Sequence, residues 1–153
     1  MKRELDYTPT TKSVSQARTD TKEISSAILD LTGLRGEVSE PGPGISVCEA
    51  DPKRERLYTV YHYWSISNIS RAELRQGMDR LRHELPREGW EIISDGELNN
   101  ANRTPEILFE NTEVEYAVNV TLPGKTDEDS RLVFAVVSPC LSTPEGESPS
   151  GSY

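Results

Sequence analysis

Two cysteines constrain the fold of this chain more than any other feature. Cys48 stands in Gly44-Ile-Ser-Val-Cys48 and Cys140 in Val136-Val-Ser-Pro-Cys140, so the pair brackets almost every strand-like segment of the sequence. That is the placement of a staple joining the two ends of one sheet. A disulfide closing about 90 residues would remove roughly 4 to 5 kcal/mol of unfolded-state entropy, comparable with the whole stability of a small domain. Two other readings stay open at this level. Reducing thiols would keep the cysteines apart in a cytosolic protein. A zinc site would have to recruit His62 and His83, yet no two of these four residues lie at the short local spacing of structural zinc sites. An even cysteine count with nothing over favours the disulfide and therefore an oxidising compartment.

At 153 residues the chain holds one domain's worth of sequence. The expected division is a flexible segment over 1–11, one domain over 12–140 and a disordered tail over 141–153. The hydrophobic fraction of 34% is low, but the deficit sits mainly at the two ends. A net charge of −9 opposes affinity for nucleic acid or anionic membrane, because phosphate binding needs concentrated positive charge. No run of 18 apolar residues exists to span a membrane. Met1-Lys-Arg-Glu-Leu-Asp6 also lacks the apolar stretch of a signal peptide, which taken literally means a cytosolic protein. A chain that begins after a removed signal looks the same, and the cysteines favour that second reading. Asn68, Asn102 and Asn119 head Asn-x-Ser/Thr triplets, which carry meaning only in a eukaryotic secretory pathway.

Val14, Ala17, Thr21, Ile24, Ile28 and Leu31 recur at steps of three and four, with Ala27 and Leu34 thickening the stripe. They predict an amphipathic helix over about 12–32, stopped by Gly33. Ser39-Glu-Pro-Gly-Pro-Gly44 is a turn-rich connection. Strands are expected over 44–49 and 56–66, with a hairpin through Asp51-Pro-Lys-Arg between them. Ser70 and Glu73 form a capping box flanked by a possible Ile69/Leu74 staple, and Leu74, Met78, Leu81 and Leu85 make the stripe of a second helix. Leu85-Pro-Arg-Glu-Gly89 ends it. Further strands follow over 90–94, 106–110, 114–122 and 132–137, with a polar loop over 95–103. In 114–122, Val114, Tyr116, Val118, Val120 and Leu122 are expected to face the core. Leu132-Val-Phe-Ala-Val-Val137 is apolar on both faces and should be a central strand.

Helix, two strands, helix and about four strands give an α+β domain: an antiparallel β-sheet of about five to six strands with two α-helices packed on one face and one disulfide. Tyr7-Thr-Pro-Thr-Thr-Lys12, Ser39-Glu-Pro-Gly-Pro-Gly44, Leu57-Tyr-Thr-Val-Tyr-His-Tyr-Trp64, Leu85-Pro-Arg-Glu-Gly-Trp-Glu-Ile92 and Val137-Ser-Pro-Cys140 together resemble small uncharacterised secreted or lipid-anchored proteins of Streptomyces-type actinobacteria. The likeness spans about residues 7–140 and rests on the order of these segments. It implies cysteines paired across the sheet and attachment to the outer membrane face through a lipidated cysteine upstream. No cysteine precedes Cys48 in this sequence. The resemblance implies no activity.

Candidate chemistry is sparse. His62 lies in an aromatic strand and would act as a general base only beside a carboxylate or a hydroxyl nucleophile in a concave pocket. His83 sits among arginines and carboxylates on the second helix and reads as a solvated residue. Arg71, Arg75, Arg80, Arg82 and Arg87 on and just beyond that helix face Glu73, Asp79, Glu84 and Glu88, the interleaved signs of a wet face more than an anion site. Asp127-Glu-Asp129 lacks the spacing of a calcium loop. Tyr58, Tyr61, Tyr63 and Trp64 are the better candidates, because strand alternation turns some of them outward whatever the register. Outward aromatics suit recognition of carbohydrate, peptide or partner, whereas burial under the helices would explain them without function. The expectation is a monomeric, non-enzymatic extracytoplasmic module that binds a cell-envelope ligand or an unknown protein, without metal or cofactor. The alternative is a small hydrolase using His62 with a nearby carboxylate.

Overall fold

Ser13 starts the first helix: its hydroxyl accepts the Gln16 N–H and caps α1, Val14–Thr32. In the computed structural model, which describes residues 9–39, 41–48 and 57–146, Gly33 ends α1 in the left-handed conformation, φ 65°, and Arg80 donates to the freed Thr32 carbonyl at 2.6 Å. The buried stripe is Val14, Ala17, Thr21, Ser25, Ile28 and Thr32. Ile24 and Leu31, expected in it, are only partly buried against the core, and Ala27 is exposed. The helix is rotated toward its polar positions because Thr21 and Ser25 have hydrogen-bonding partners beneath them.

Eight strands and one further helix follow. They are β1 (Glu37–Val38), β2 (Gly44–Val47), β3 (Leu57–Ser67), α2 (Arg71–Glu84), β4 (Trp90–Glu97), β5 (Pro105–Asn111), β6 (Ala117–Thr121), β7 (Leu132–Val137) and β8 (Leu141–Ser142). All ladders are antiparallel, in the order β1-β3-β7-β6-β5-β4. The 11-residue β3 organises the sheet. β1 and β2 pair with successive parts of one edge, and β7 and β8 with successive parts of the other. β3 and β4 therefore run the same way at separate places in the sheet, and α2 makes the crossover between them.

Both helices lie on one face. Ile28 of α1 and Leu74, Met78 and Leu81 of α2 pack on Trp64, Ile66, Phe109, Val118, Val120, Phe134 and Val136. Val14, Ala17, Tyr58, Val60 and Leu141 form a second cluster under the start of α1. The helices approach closely at Gly77, where a Cβ would sit 2.5 Å from a Leu34 methyl carbon. Ser70 caps α2 as expected, accepting the Glu73 N–H at 3.2 Å. Leu85–Glu88 forms a 3-10 turn with Pro86, and Gly89 closes it at φ 91°.

Several boundaries differ from the sequence reading. The six expected strands are present, with the two-residue β1 and β8 added at either side of β3. β8 corrects the expectation of disorder from residue 141: Leu141 and Thr143 are buried, and Ser142 exchanges backbone hydrogen bonds with Thr10 and Lys12. The supposed flexible segment thus pairs with the supposed tail at Thr10–Lys12. The remaining parts of both, 1–8 and 147–153, lie outside the described residues, as does the expected Asp51 hairpin. β4 continues to Glu97 through what read as loop, because β5 pairs with it there and Arg82 holds Asp95 through two hydrogen bonds, at 2.6 and 3.0 Å. Val114 is 47% exposed instead of core-facing. Asn111 accepts the backbone N–H groups of Glu113 and Val114, making residues 111–116 a turn that delays β6 to Ala117.

Cys48 and Cys140 form the disulfide, with Cα atoms 5.8 Å apart. Cys48 follows β2, and Cys140 lies between β7 and β8. The bond therefore ties together segments that flank β3 from opposite edges.

Candidate functional site

Alternation along β3 sorts the aromatic candidates. Tyr58, Val60, His62, Trp64 and Ile66 point under the helices, while Leu57, Thr59, Tyr61, Tyr63, Ser65 and Ser67 point to the opposite face. Tyr58 and Trp64 are therefore corrected from binding candidates to buried residues. Tyr58 is fully buried and donates its hydroxyl to the Lys12 carbonyl at 2.5 Å. Trp64 stacks on Phe134 with ring centroids 4.0 Å apart.

Tyr61 and Tyr63 remain outward. Their ring centroids are 5.2 Å apart, and Tyr63, at 55%, is the most exposed large apolar side chain among the described residues. Gly44 on β2 sits opposite Tyr61, and a Cβ there would meet the Tyr61 ring at 2.4 Å. A residue without a side chain thus lets the ring lie across the neighbouring strand. Registers extend the face: Tyr63 stands beside Ala135, Asn119 and Leu108 in turn, and Tyr61 beside Val137, Ala117 and Glu110. Ala135 and Ala117 keep the floor low next to the two rings. Asn119 donates to Glu106 at 2.9 Å, which presents an amide and a carboxylate at its far side.

The inward side of β3 holds a different arrangement. His62 Nε2 lies 2.8 Å from the Pro41 carbonyl oxygen, which only accepts, so this nitrogen carries the proton. Nδ1 is then the acceptor for the Ser25 hydroxyl at 2.7 Å. Burial holds the imidazole pKa below its usual value; the Pro41 hydrogen bond opposes this and the Lys22 charge adds to it. His62 is accordingly a neutral, fixed tautomer at pH 7. Ser25 supplies a hydroxyl within the reach that the hydrolase reading asked for, while the other ring nitrogen is held by a backbone carbonyl and not by a carboxylate. One turn along α1, Thr21 and the Tyr116 hydroxyl make a similar buried bond at 2.8 Å, and burial raises the Tyr116 pKa.

His62 and Ser25 border a cavity of about 250 Å³ between α1 and the β1–β2 connection, whose wall also includes Lys22, Leu29, Val38 and Trp64. A second groove of about 520 Å³ runs past Lys12, Asp20 and Glu23 to Tyr116 and the disulfide. There Lys12 and Gln16 hold the Asp20 carboxyl below the usual range against the opposing effect of its burial.

The remaining candidates are exposed or have structural partners. His83 is exposed. Arg71 bonds the Ser130 hydroxyl, and its own N–H is accepted by Asp127. Asp129 closes a turn by accepting from Lys125 and Thr126 N–H, bonds that lower its pKa. No group of three or more metal-ligating side chains occurs among the described residues, and no described helix is long and apolar enough to cross a membrane.

The sequence reading missed Ser25, Lys22 and Gly44. Two hydroxyl residues four apart inside an apolar stripe, Thr21 and Ser25, were the available signal that this helix covers polar partners. Nothing local linked Gly44 to Tyr61. No family model, curated protein or solved structure matches the chain.

Proposed function

We propose that this protein is a non-enzymatic extracytoplasmic module that binds polysaccharide strands of the cell envelope on its helix-free sheet face. The observation that carries this reading is the adjacent, outward pair Tyr61 and Tyr63 beside the low positions Ala135 and Ala117. Aromatic rings offer large rigid apolar area with a polar hydroxyl at the tip, which suits the alternating C–H and O–H surfaces of a sugar. Thr59, Ser65 and the Asn119–Glu106 pair supply donors and acceptors around the rings. A sheet face is flat and long, which fits a polymer chain better than a compact ligand. The Cys48–Cys140 disulfide supports a site of action outside the reducing cytosol. The net charge of −9 makes nucleic acid an unfavourable partner.

The test is calorimetry and NMR titration with chitotetraose, an uncharged β-linked oligosaccharide. Binding is expected with shifts confined to β3, β7 and β6 residues of the open face. Tyr63→Ala should weaken it about 3-fold to 10-fold, the worth of one aromatic contact, without changing the melting temperature. Absence of binding, or binding that Tyr61→Ala and Tyr63→Ala leave intact, refutes the reading.

A further inference from the structure

Three apolar residues whose spacing assigns them to the core, Ile24 and Ala27 of α1 and Val114, are left at least partly in water, and all three line the groove of about 520 Å³. Ile24 is half-buried, Ala27 is exposed and Val114 is 47% exposed. Asp20, Glu23, Ile24 and Ala27 share one face of α1, beside its buried stripe. The turn over 111–116 supplies the facing wall. There Asn111 accepts the N–H groups of Glu113 and Val114 on its side chain and that of Glu115 on its carbonyl. Glu115 has a left-handed φ of 59°, which a non-glycine residue keeps only where its surroundings fix it. The Thr21–Tyr116 bond ties this wall to α1, and Pro139 and Leu141 add to the apolar lining.

The charges of the groove are one-sided. Among the described residues its lining carries Lys12 against Asp20, Glu23, Glu113 and Glu115. Lys12 bonds Asp20 at 2.5 Å, so these two cancel. Glu23 on the helix wall and Glu113 and Glu115 on the turn wall are exposed, and none forms an ion pair among the described residues. An apolar strip thus runs between carboxylates on both walls. The volume equals the liquid volume of about 17 waters, room for several side chains and far more than one ion needs.

We propose that this groove docks a basic segment of a protein partner, with apolar side chains against Ile24, Ala27 and Val114 and flanking lysines or arginines on Glu23, Glu113 and Glu115. Exposed apolar surface rimmed by polar groups marks contact sites, and complementary charge selects the partner. An acidic segment would be repelled from both walls. A second copy of this chain, at −9, is disfavoured for the same reason. Because α1 forms one wall, the groove stands apart from the helix-free face and its tyrosines.

The test is NMR titration of the 15N-labelled full chain with the peptide acetyl-Lys-Leu-Lys-Leu-Lys-amide. Three comparison compounds accompany it: the same peptide with glutamate for lysine, tetralysine, which lacks apolar side chains, and spermine, a small polyamine. Saturable shifts are expected at Ile24, Ala27, Val114 and Tyr116, with each comparison compound binding at least about 5-fold more weakly. Glu23→Gln/Glu113→Gln/Glu115→Gln should weaken the peptide about 8-fold to 30-fold, the product of three exposed charge contacts worth about 2-fold to 3-fold each. Val114→Ser should weaken it about 3-fold, the worth of part of one apolar side chain. Neither variant should lower the melting temperature, since all four positions are exposed. The proposal is overturned if the basic peptide moves none of the four resonances by about 5 mM, a limit corresponding to very weak binding. It is equally overturned if any comparison compound matches the peptide, if the triple variant binds it unchanged, or if the shifts fall on Tyr61 and Tyr63 instead. Chitotetraose binding, present or absent, does not alter these outcomes, because the open face and the groove share no residue.

Discussion

Removing the disulfide should cost this protein a large part of its stability, and the amount follows from the chain length that the bond encloses. Cys48 and Cys140 are 92 residues apart. In the chain-entropy account that separation corresponds to about 4.6 kcal/mol at 25 °C. Both cysteines are at least nine-tenths buried, so the perturbation of choice is the double variant Cys48→Ala/Cys140→Ala, which leaves neither a free thiol nor a buried hydroxyl. For a domain of this size about 4.6 kcal/mol lowers the melting temperature by about 10 to 18 °C. The assay is urea and thermal denaturation of both proteins followed by circular dichroism. The urea slope should rise in the variant, because an uncrosslinked unfolded chain exposes more surface. Hydrogen exchange should show β2 and β8 loosening first, since each is short and the bond joins the segments on either side of β3. A loss below about 5 °C, equivalent to little more than 1.5 kcal/mol, would refute the entropic argument. It would mean that pairing along β3 already holds these ends together in the unfolded ensemble.

Two further outcomes test the helix side of the sheet. His62 is held neutral in the folded protein while the unfolded ring titrates near 6.5, so the unfolded state takes up more protons below that pH. Stability should be at its full value above about pH 6.5 and fall as pH is lowered through it. His62→Gln should flatten that part of the profile in urea melts between pH 7.5 and 5.5, and an unchanged profile would contradict the buried neutral tautomer. Gly77→Ala gains about 1 kcal/mol of helix propensity but forces Leu34 aside at a cost of about 1 to 3 kcal/mol. A net loss of about 1 kcal/mol is expected in urea denaturation, with Leu34→Ala/Gly77→Ala losing less than the two single variants together.

The sequence reading and the structure part company in an informative way around β3. Alternation showed that the aromatic residues had to divide between two faces. It did not show which pair would be wet, because that depends on which side the helices cover. Tyr61 and Tyr63 are outward because Val60, His62 and Trp64 meet α1 and the core. The cavity beside His62 was less legible still. Ser25 and His62 are 37 residues apart, and Ser39 and Trp64 belong to different strands or connections. No local pattern encodes that they share a wall.

Much of what a few neighbouring residues decide was legible in the sequence, the turn that Asn111 makes over 111–116 being an exception. Ser70 with Glu73 started α2, Gly33 stopped α1, and period-two or period-three-to-four apolar patterns named the six main strands and both helices. The cysteines were legible as a pair, but the bond they form does not join the two ends of the sheet: both lie beside β3, with β1 before them in the chain, β8 after them and β4 at the far edge. Only the tertiary structure decided the rest: that Leu141–Ser142 is a strand, that Asp95–Glu97 extends β4, that Ser25 replaces Ile24 in the buried stripe, and that Gly44 lies beneath Tyr61. Each of these is set by a partner on another element and not by the adjacent residues. A strand two residues long or a buried serine is unstable alone and exists because β3 or His62 stands opposite to satisfy it.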